Sequence, residues 1–187
     1  MFFWIVPILA IGFFVAKKFD SDESPTLPTG SKPVGYDGLF VKWGSTYGVD
    51  WRWLKAIAMN ESSLGLHPSV AYGIKNPKDI ENSKSSDGKS WGLMQVTLTT
   101  ARDLDASATA EKLNNPDYSV MLAAEYVAWL KSRFNPGEPR YLEWVIKSYN
   151  QGPGNTDKEK RGQISGYAGE YWARFQRNLK KVVDGVA

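Results

Sequence analysis

The chain has 187 residues, 42% hydrophobic and 23% charged, which is enough for one hydrophobic core and fits neither a disordered chain nor a polytopic membrane protein. It has no cysteine and one histidine, His67, which excludes disulfides, a thiol nucleophile and thiolate or multi-histidine metal sites, so acid–base chemistry falls to carboxylates, tyrosines or lysines, and no cofactor is expected. A net charge of +3 is too mild to argue for a nucleic-acid partner; aromatics at 13% suit stacking on sugar rings as well as packing.

Residues Met1 to Ala16, MFFWIVPILAIGFFVA, carry no charge, and Lys17 and Lys18 end the run. Its length lies at the lower edge of the ~17–25 residues of a spanning helix and slightly beyond the ~7–15 of a signal-peptide core. A secretory signal places positive side chains before its core, and here they follow it. The segment 1–19 is therefore read as an N-terminal transmembrane helix meeting a lipid bilayer through residues 1–16, with a removed signal peptide as the alternative and a buried helix of the main domain as a third reading that Pro7, Gly12 and the all-round apolarity fit poorly. The positive-inside rule puts the lysine pair on the cytoplasmic side, an orientation that suits a protein stored in a viral particle's membrane. Residues 20–35, DSDESPTLPTGSKPVG, mix prolines with Ser, Thr and Gly and read as a solvated linker. The folded domain is expected over 36–187.

From Tyr36 the apolar spacing is three and four, which predicts a mainly α domain. Asp50 can cap a helix from Trp51 to about Ser62; Trp51, Leu54, Ala58 and Glu61 share one face of it. A short helix is expected over Thr97–Leu104. Asn115 followed by Pro116 is a helix start, and Val120, Ala124, Val127, Leu130 and Phe134 mark its buried side until Asn135-Pro136-Gly137 stops it. A further helix is expected from Pro139 through Tyr149, then a loop over Gln151–Asn155. The last helix is expected from about Tyr167 to Val183, with Tyr171, Phe175, Leu179 and Val182 inward. The polar stretch Leu64–Trp91 has room for a small β-hairpin.

Glu61 falls on the apolar face of its helix, where a carboxylate is costly unless it has a task or a partner. It is also at the C-terminal end, where the helix dipole is negative. Burial and dipole both disfavour the ionised form and raise the pKa, which is what a glycosidic general acid needs. The plainer reading is a helix-end glutamate turned to solvent or paired with a base.

Two later segments bear on that choice. Trp91-Gly92-Leu93-Met94-Gln95-Val96 is an apolar turn, and Ser148-Tyr149-Asn150-Gln151-Gly152-Pro153-Gly154 closes a helix with a Tyr-Asn pair. In the order Glu-Ser, Gly-Leu-Met-Gln, Tyr-Asn-x-Gly, the three resemble the soluble lytic transglycosylase family of the lysozyme-like superfamily, over roughly Val49 to Val183. The Gly-Leu-Met-Gln-Val segment is also similar to goose-type lysozymes. The resemblance implies a mainly α, lysozyme-like single domain with a cleft for peptidoglycan glycan strands. It implies one catalytic glutamate, Glu61, and a cleft-lining turn at Gly92, Met94 and Gln95. Tyr149 and Asn150 follow from the Tyr-Asn motif, Asn150 as a sugar contact. A tyrosine supporting the glutamate matches Tyr171 best, with Tyr167 its competitor. A family serine before the turn falls on Ser86, with Ser85 and Ser90 close by.

The sequence departs from the family pattern in two places. The stretch between Glu61 and Gly92 is longer than in most of the family, and Gln151 stands where the motif usually has alanine. The activity implied is a lytic transglycosylase that cleaves the bond between N-acetylmuramic acid and N-acetylglucosamine with 1,6-anhydro ring closure. The rivals are a muramidase, for which Asp87 is the candidate second carboxylate, and a glycan-binding structural protein of a virion. Asp87 in Ser86-Asp87-Gly88 otherwise reads as a turn former. From Asp157 on, seven basic residues face four acidic ones, read as a solvated helix face with attraction to anionic wall or lipid as the alternative.

Overall fold

The computed structural model describes residues 35–65 and 89–187. The anchor expected over 1–19, most of the linker, His67, Ser85, Ser86 and Asp87 lie outside them. Among the described residues the architecture is mainly α, with eight helices and one two-stranded antiparallel hairpin, and no helix is long and apolar enough to cross a membrane.

Helix α1 spans Asp37–Tyr47 and α2 spans Trp51–Ser62. Asp50 caps α2 as its sequence position predicts, accepting from the Arg52 backbone N–H. Strands β1, Ser90–Trp91, and β2, Val96–Thr97, pair Trp91 with Val96 and Ser90 with Thr97. The hairpin thus begins at the very end of the stretch expected to hold one and turns through the Gly-Leu-Met-Gln segment. Thr97 then caps α3, Leu98–Leu104, through its hydroxyl. A single turn, α4, Ala110–Leu113, leads to α5, Pro116–Arg133. The α5 start is built as read: the Asn115 side chain accepts from the Asp117 and Tyr118 backbone, with proline in the first turn.

The next helix, α6, runs from Tyr141 to Gln151. The loop expected over Gln151–Asn155 is not formed. Gln151 closes α6, Gly152 breaks the chain direction, and Pro153 opens α7, Pro153–Lys160. The Gly-Pro pair that reads as a loop is a helix end followed by a helix start, because proline costs nothing in the first turn, where its missing N–H has no partner to lose. The last helix, α8, is Gly169–Val183, so Tyr167 precedes it.

The core gathers Phe40 from α1, Leu54 and Ile57 from α2, Leu122 and Leu130 from α5, Ile146 from α6 and Phe175 from α8, all fully buried. Each such side chain contributes about 1.5–3 kcal/mol through removal from water. Helix α8 packs along α2, while α5 braces α1 and α6. This arrangement sets the C-terminal end of α2, the turn of the hairpin, the end of α6 and the start of α8 side by side.

Candidate active site

Glu61 lies in the last turn of α2. Directly after it the chain reverses through three successive left-handed residues, Ser63, Leu64 and Gly65. Two of them are not glycine, a conformation that must be held in place by its surroundings. Ser62 does so: its hydroxyl accepts from the Gly65 N–H at 2.9 Å and donates to the Leu93 carbonyl at 2.7 Å. The second of these bonds fastens the end of α2 to the Gly-Leu-Met-Gln turn, which gives the serine after the glutamate a physical task.

The turn itself is closely fitted. Gly92 has φ of 73°, and a Cβ there would stand 1.8 Å from the Leu113 carbonyl oxygen, so only glycine fits. Met94 is fully buried. Its N–H donates to the Ser119 hydroxyl on α5 at 3.2 Å, and its carbonyl accepts the Tyr149 hydroxyl at 2.8 Å. Gln95 is left-handed and folds its amide back onto the Gly92 carbonyl.

From the far side, α8 presents Tyr171. Its hydroxyl donates to the Glu61 carboxylate at 2.6 Å, so the choice between Tyr171 and Tyr167 as the glutamate's neighbour falls to Tyr171. Tyr167 instead meets Gln151 and Asn155. A second link keeps the two helices in register: Asn60 donates to the Tyr171 carbonyl at 3.0 Å and accepts from Asn178 at 2.8 Å. Asn178 was not singled out in the sequence, and Asn60 stood out there only as the start of an Asn-Glu-Ser glycosylation sequon, discounted inside this helix. The signal for Asn178 was there, since it is a polar residue seven positions after Tyr171 on the inward face.

Burial pushes the Glu61 carboxyl from its ordinary 4.5 up to about 7, against the Tyr171 hydrogen bond and the Arg174 charge, which both pull it down. Tyr149 and Tyr171 are raised well above 10, first by burial and then by the charge of Glu61, so both are neutral phenols at any working pH. Arg174, one turn beyond Tyr171 with its guanidinium 5.8 Å from that ring's centre, is a further missed residue. It was read only as part of a basic helix face.

Tyr149 borders a cleft of about 240 Å³ that Gln95, Thr97, Thr100, Tyr126 and Asn150 also line. The Tyr126 ring stands 5.7 Å from that of Tyr149. Asn150 is exposed, with its side chain on the cleft. Gln151, the departure from the motif, is 3% exposed and fully engaged. Its amide nitrogen donates to Thr156 and Glu159, and its oxygen accepts from the Tyr167 and Ala168 N–H groups. It thereby ties the end of α6 to the segment that leads into α8. The structure thus brings Glu61, Tyr171 and Tyr149 together, sets Gly92, Met94 and Gln95 in the adjoining turn, and places Asn150 on the cleft. Ser86 lies outside the described residues. Among those residues, no cluster of three or more His, Cys, Asp or Glu side chains could hold a metal ion.

The site thus sets an elevated carboxyl, held by a tyrosine, beside a tight apolar turn and a Tyr-Asn helix end in a mainly helical domain. The family described as "Transglycosylase SLT domain" matches residues 38–168, and the chain belongs to it. Curated relatives include the membrane-bound lytic murein transglycosylase F of Haemophilus influenzae (strain PittEE), 26% identical over 147 residues that make up 77% of this chain and 26% of that protein. The protein of the same name from Pseudomonas fluorescens (strain Pf0-1) is 25% identical over 153 residues, 81% of this chain and 26% of its own. The chain spans about a quarter of the length of these relatives.

Proposed function

We propose that this chain is a peptidoglycan lytic transglycosylase that cleaves the β-1,4 bond between N-acetylmuramic acid and N-acetylglucosamine, with Glu61 as its catalytic residue. The observation that carries the reading is the Glu61 carboxyl itself, raised to about 7 by burial and hydrogen-bonded by Tyr171. Near neutral pH such a group is available both as an acid and, once ionised, as a base stabilised by the phenol.

In this reading the protonated Glu61 donates to the bridging oxygen as the C1–O4 bond breaks. Positive charge develops at C1, and the substrate's own N-acetyl group stabilises it. The Glu61 carboxylate, held by Tyr171, then takes the proton of the sugar's 6-hydroxyl while O6 bonds to C1. One bond breaks, one forms, the proton passes in effect from O6 to O4, and no water is consumed. A hydrolase would hold a water, usually with a second carboxylate; among the described residues Arg174 is the charged group that acts on Glu61. Gln95 and Asn150 contact the glycan in the cleft that Tyr149 also lines, with Gly92 and Met94 behind it holding the turn that carries Gln95. Ser86 joins them as a substrate contact on the strength of the family pattern.

The N-terminal apolar run, Lys17 and Lys18 support a membrane anchor, in keeping with the word membrane-bound in the relatives' names. The positive-inside orientation favours delivery from a viral particle; recovery of the intact chain from purified particles tests it.

Digestion of purified peptidoglycan followed by mass spectrometry of the products tests the activity. The expected ends are 1,6-anhydro-muramyl, one water lighter than reducing ends, and Glu61→Gln should lose at least ~10²-fold in rate. Reducing ends together with a collapse of activity in Asp87→Asn would assign the chain to the muramidases. Wild-type turnover by the Gln variant would remove Glu61 from the mechanism.

A further inference from the structure

Most basic side chains in the described part of the protein have a partner. Lys42 meets Asp117, Lys55 meets Asp37, Arg133 meets Asp157, Lys160 meets Glu138 and Lys180 meets Asp184. Arg174, Arg177 and Lys181 on α8 are exposed and make no ion pair or hydrogen bond among the described residues. Their spacing of three and four puts them on one flank of α8, beside the inward face that carries Tyr171, Phe175 and Asn178. The stripe starts at Arg174, whose charge reaches Glu61, and runs away from it for about 10 Å at 1.5 Å per residue. Glu170 shares that flank one turn earlier. Asp184, beyond its end, is taken by Lys180.

We propose that this stripe binds the carboxylates of the peptide stem carried by the muramic acid whose bond is broken. The inference rests on the glycan-cleaving reading of Glu61. In that reading the stem hangs from the reacting sugar itself, so it leaves the site within a few ångströms of Glu61, where the stripe begins. The stem bears free carboxylates, and three of its residues, extended, cover about 10 Å, the length of the stripe. Unpaired guanidinium and ammonium groups at that spacing match a short anionic chain. Because they are exposed, the attraction is modest and screened by salt.

The full chain is assayed on two substrates: glycan strands carrying their stems, and the same strands stripped of stems by an amidase. The wild type should show a kcat/KM about three- to tenfold higher on the stem-bearing strands at low salt. The double variant Arg177→Gln, Lys181→Gln should bring that ratio close to one, as should 0.3 M salt in the wild type, which is about the change that screening of exposed pairs predicts. A ratio that the double variant leaves unchanged overturns the proposal. So does a variant that loses affinity for phosphatidylglycerol vesicles while keeping the ratio, since the stripe would then serve lipid. Absence of turnover on either substrate would overturn the glycan-cleaving reading and this inference with it, whereas turnover with an unaltered ratio overturns the inference alone.

Discussion

Replacing Glu61 by glutamine should make the protein more stable at alkaline pH, a direct consequence of what the site asks of that carboxyl. Glu61 titrates near 7 in the fold, against an ordinary 4.5. Between those values the folded state holds a proton that the unfolded chain has released. Stability is therefore fully present below pH 4.5 and is lost as pH rises through 7. The gap between the two values corresponds to about 3 kcal/mol at most, at ~1.4 kcal/mol per pH unit. Glutamine does not titrate, keeps the acceptor for the Tyr171 hydroxyl, and removes this loss. The assay is denaturant unfolding of both proteins from pH 4 to 8.5, taking the difference so that groups common to both cancel. The wild-type curve should fall below that of the variant by about 2–3 kcal/mol across the window. Parallel curves would mean that Glu61 ionises as it would in water, and the physical basis of its acid role would be gone.

Further tests address the groups around it. Tyr171→Phe removes a hydrogen bond to the ionised carboxylate, worth ~1.5 kcal/mol or more, so the alkaline limb of the pH–rate profile should move up from about 7 by roughly one pH unit; a limb that stays or moves down removes the phenol from control of Glu61. Asn178→Ala should lower kcat about tenfold with little change in KM, because it loosens the Asn60 bond that registers Tyr171; a change confined to KM would refute this. Gly92→Ala drives a Cβ into the Leu113 carbonyl and should cost about 3 kcal/mol, read as a fall of roughly 10 °C in Tm; a neutral result would mean that the turn and α4 can part.

Local signals in the chain marked α2, α3, α5, α6 and α8 and picked out Glu61 as an unusual carboxylate, whereas α1 and α4 were not read from them. Asp50, Thr97 and Asn115-Pro116 start helices because capping needs only a side chain and the two or three N–H groups that follow it. The inward stripe of α5 and that of α8 are likewise written in a period that a helix alone decides. Glu61 was legible as an acid on an apolar helix face, and Gly92 as part of a turn. Helix α7 was misread because Gly152-Pro153 carries the same letters whether the chain goes on as a loop or begins a new helix, and contacts made by Gln151 and Thr156 settle the outcome. The charges and hydrogen bonds that set the Glu61 carboxyl belong to the tertiary structure alone. Tyr171 and Glu61 are 110 residues apart in the chain, as are Asn60 and Tyr171 at 111. No local pattern encodes a distance of 2.6 Å between two such side chains. That distance, and the desolvation that lifts the carboxyl, exist only once α8 lies along α2, because burial is a property of what surrounds a group.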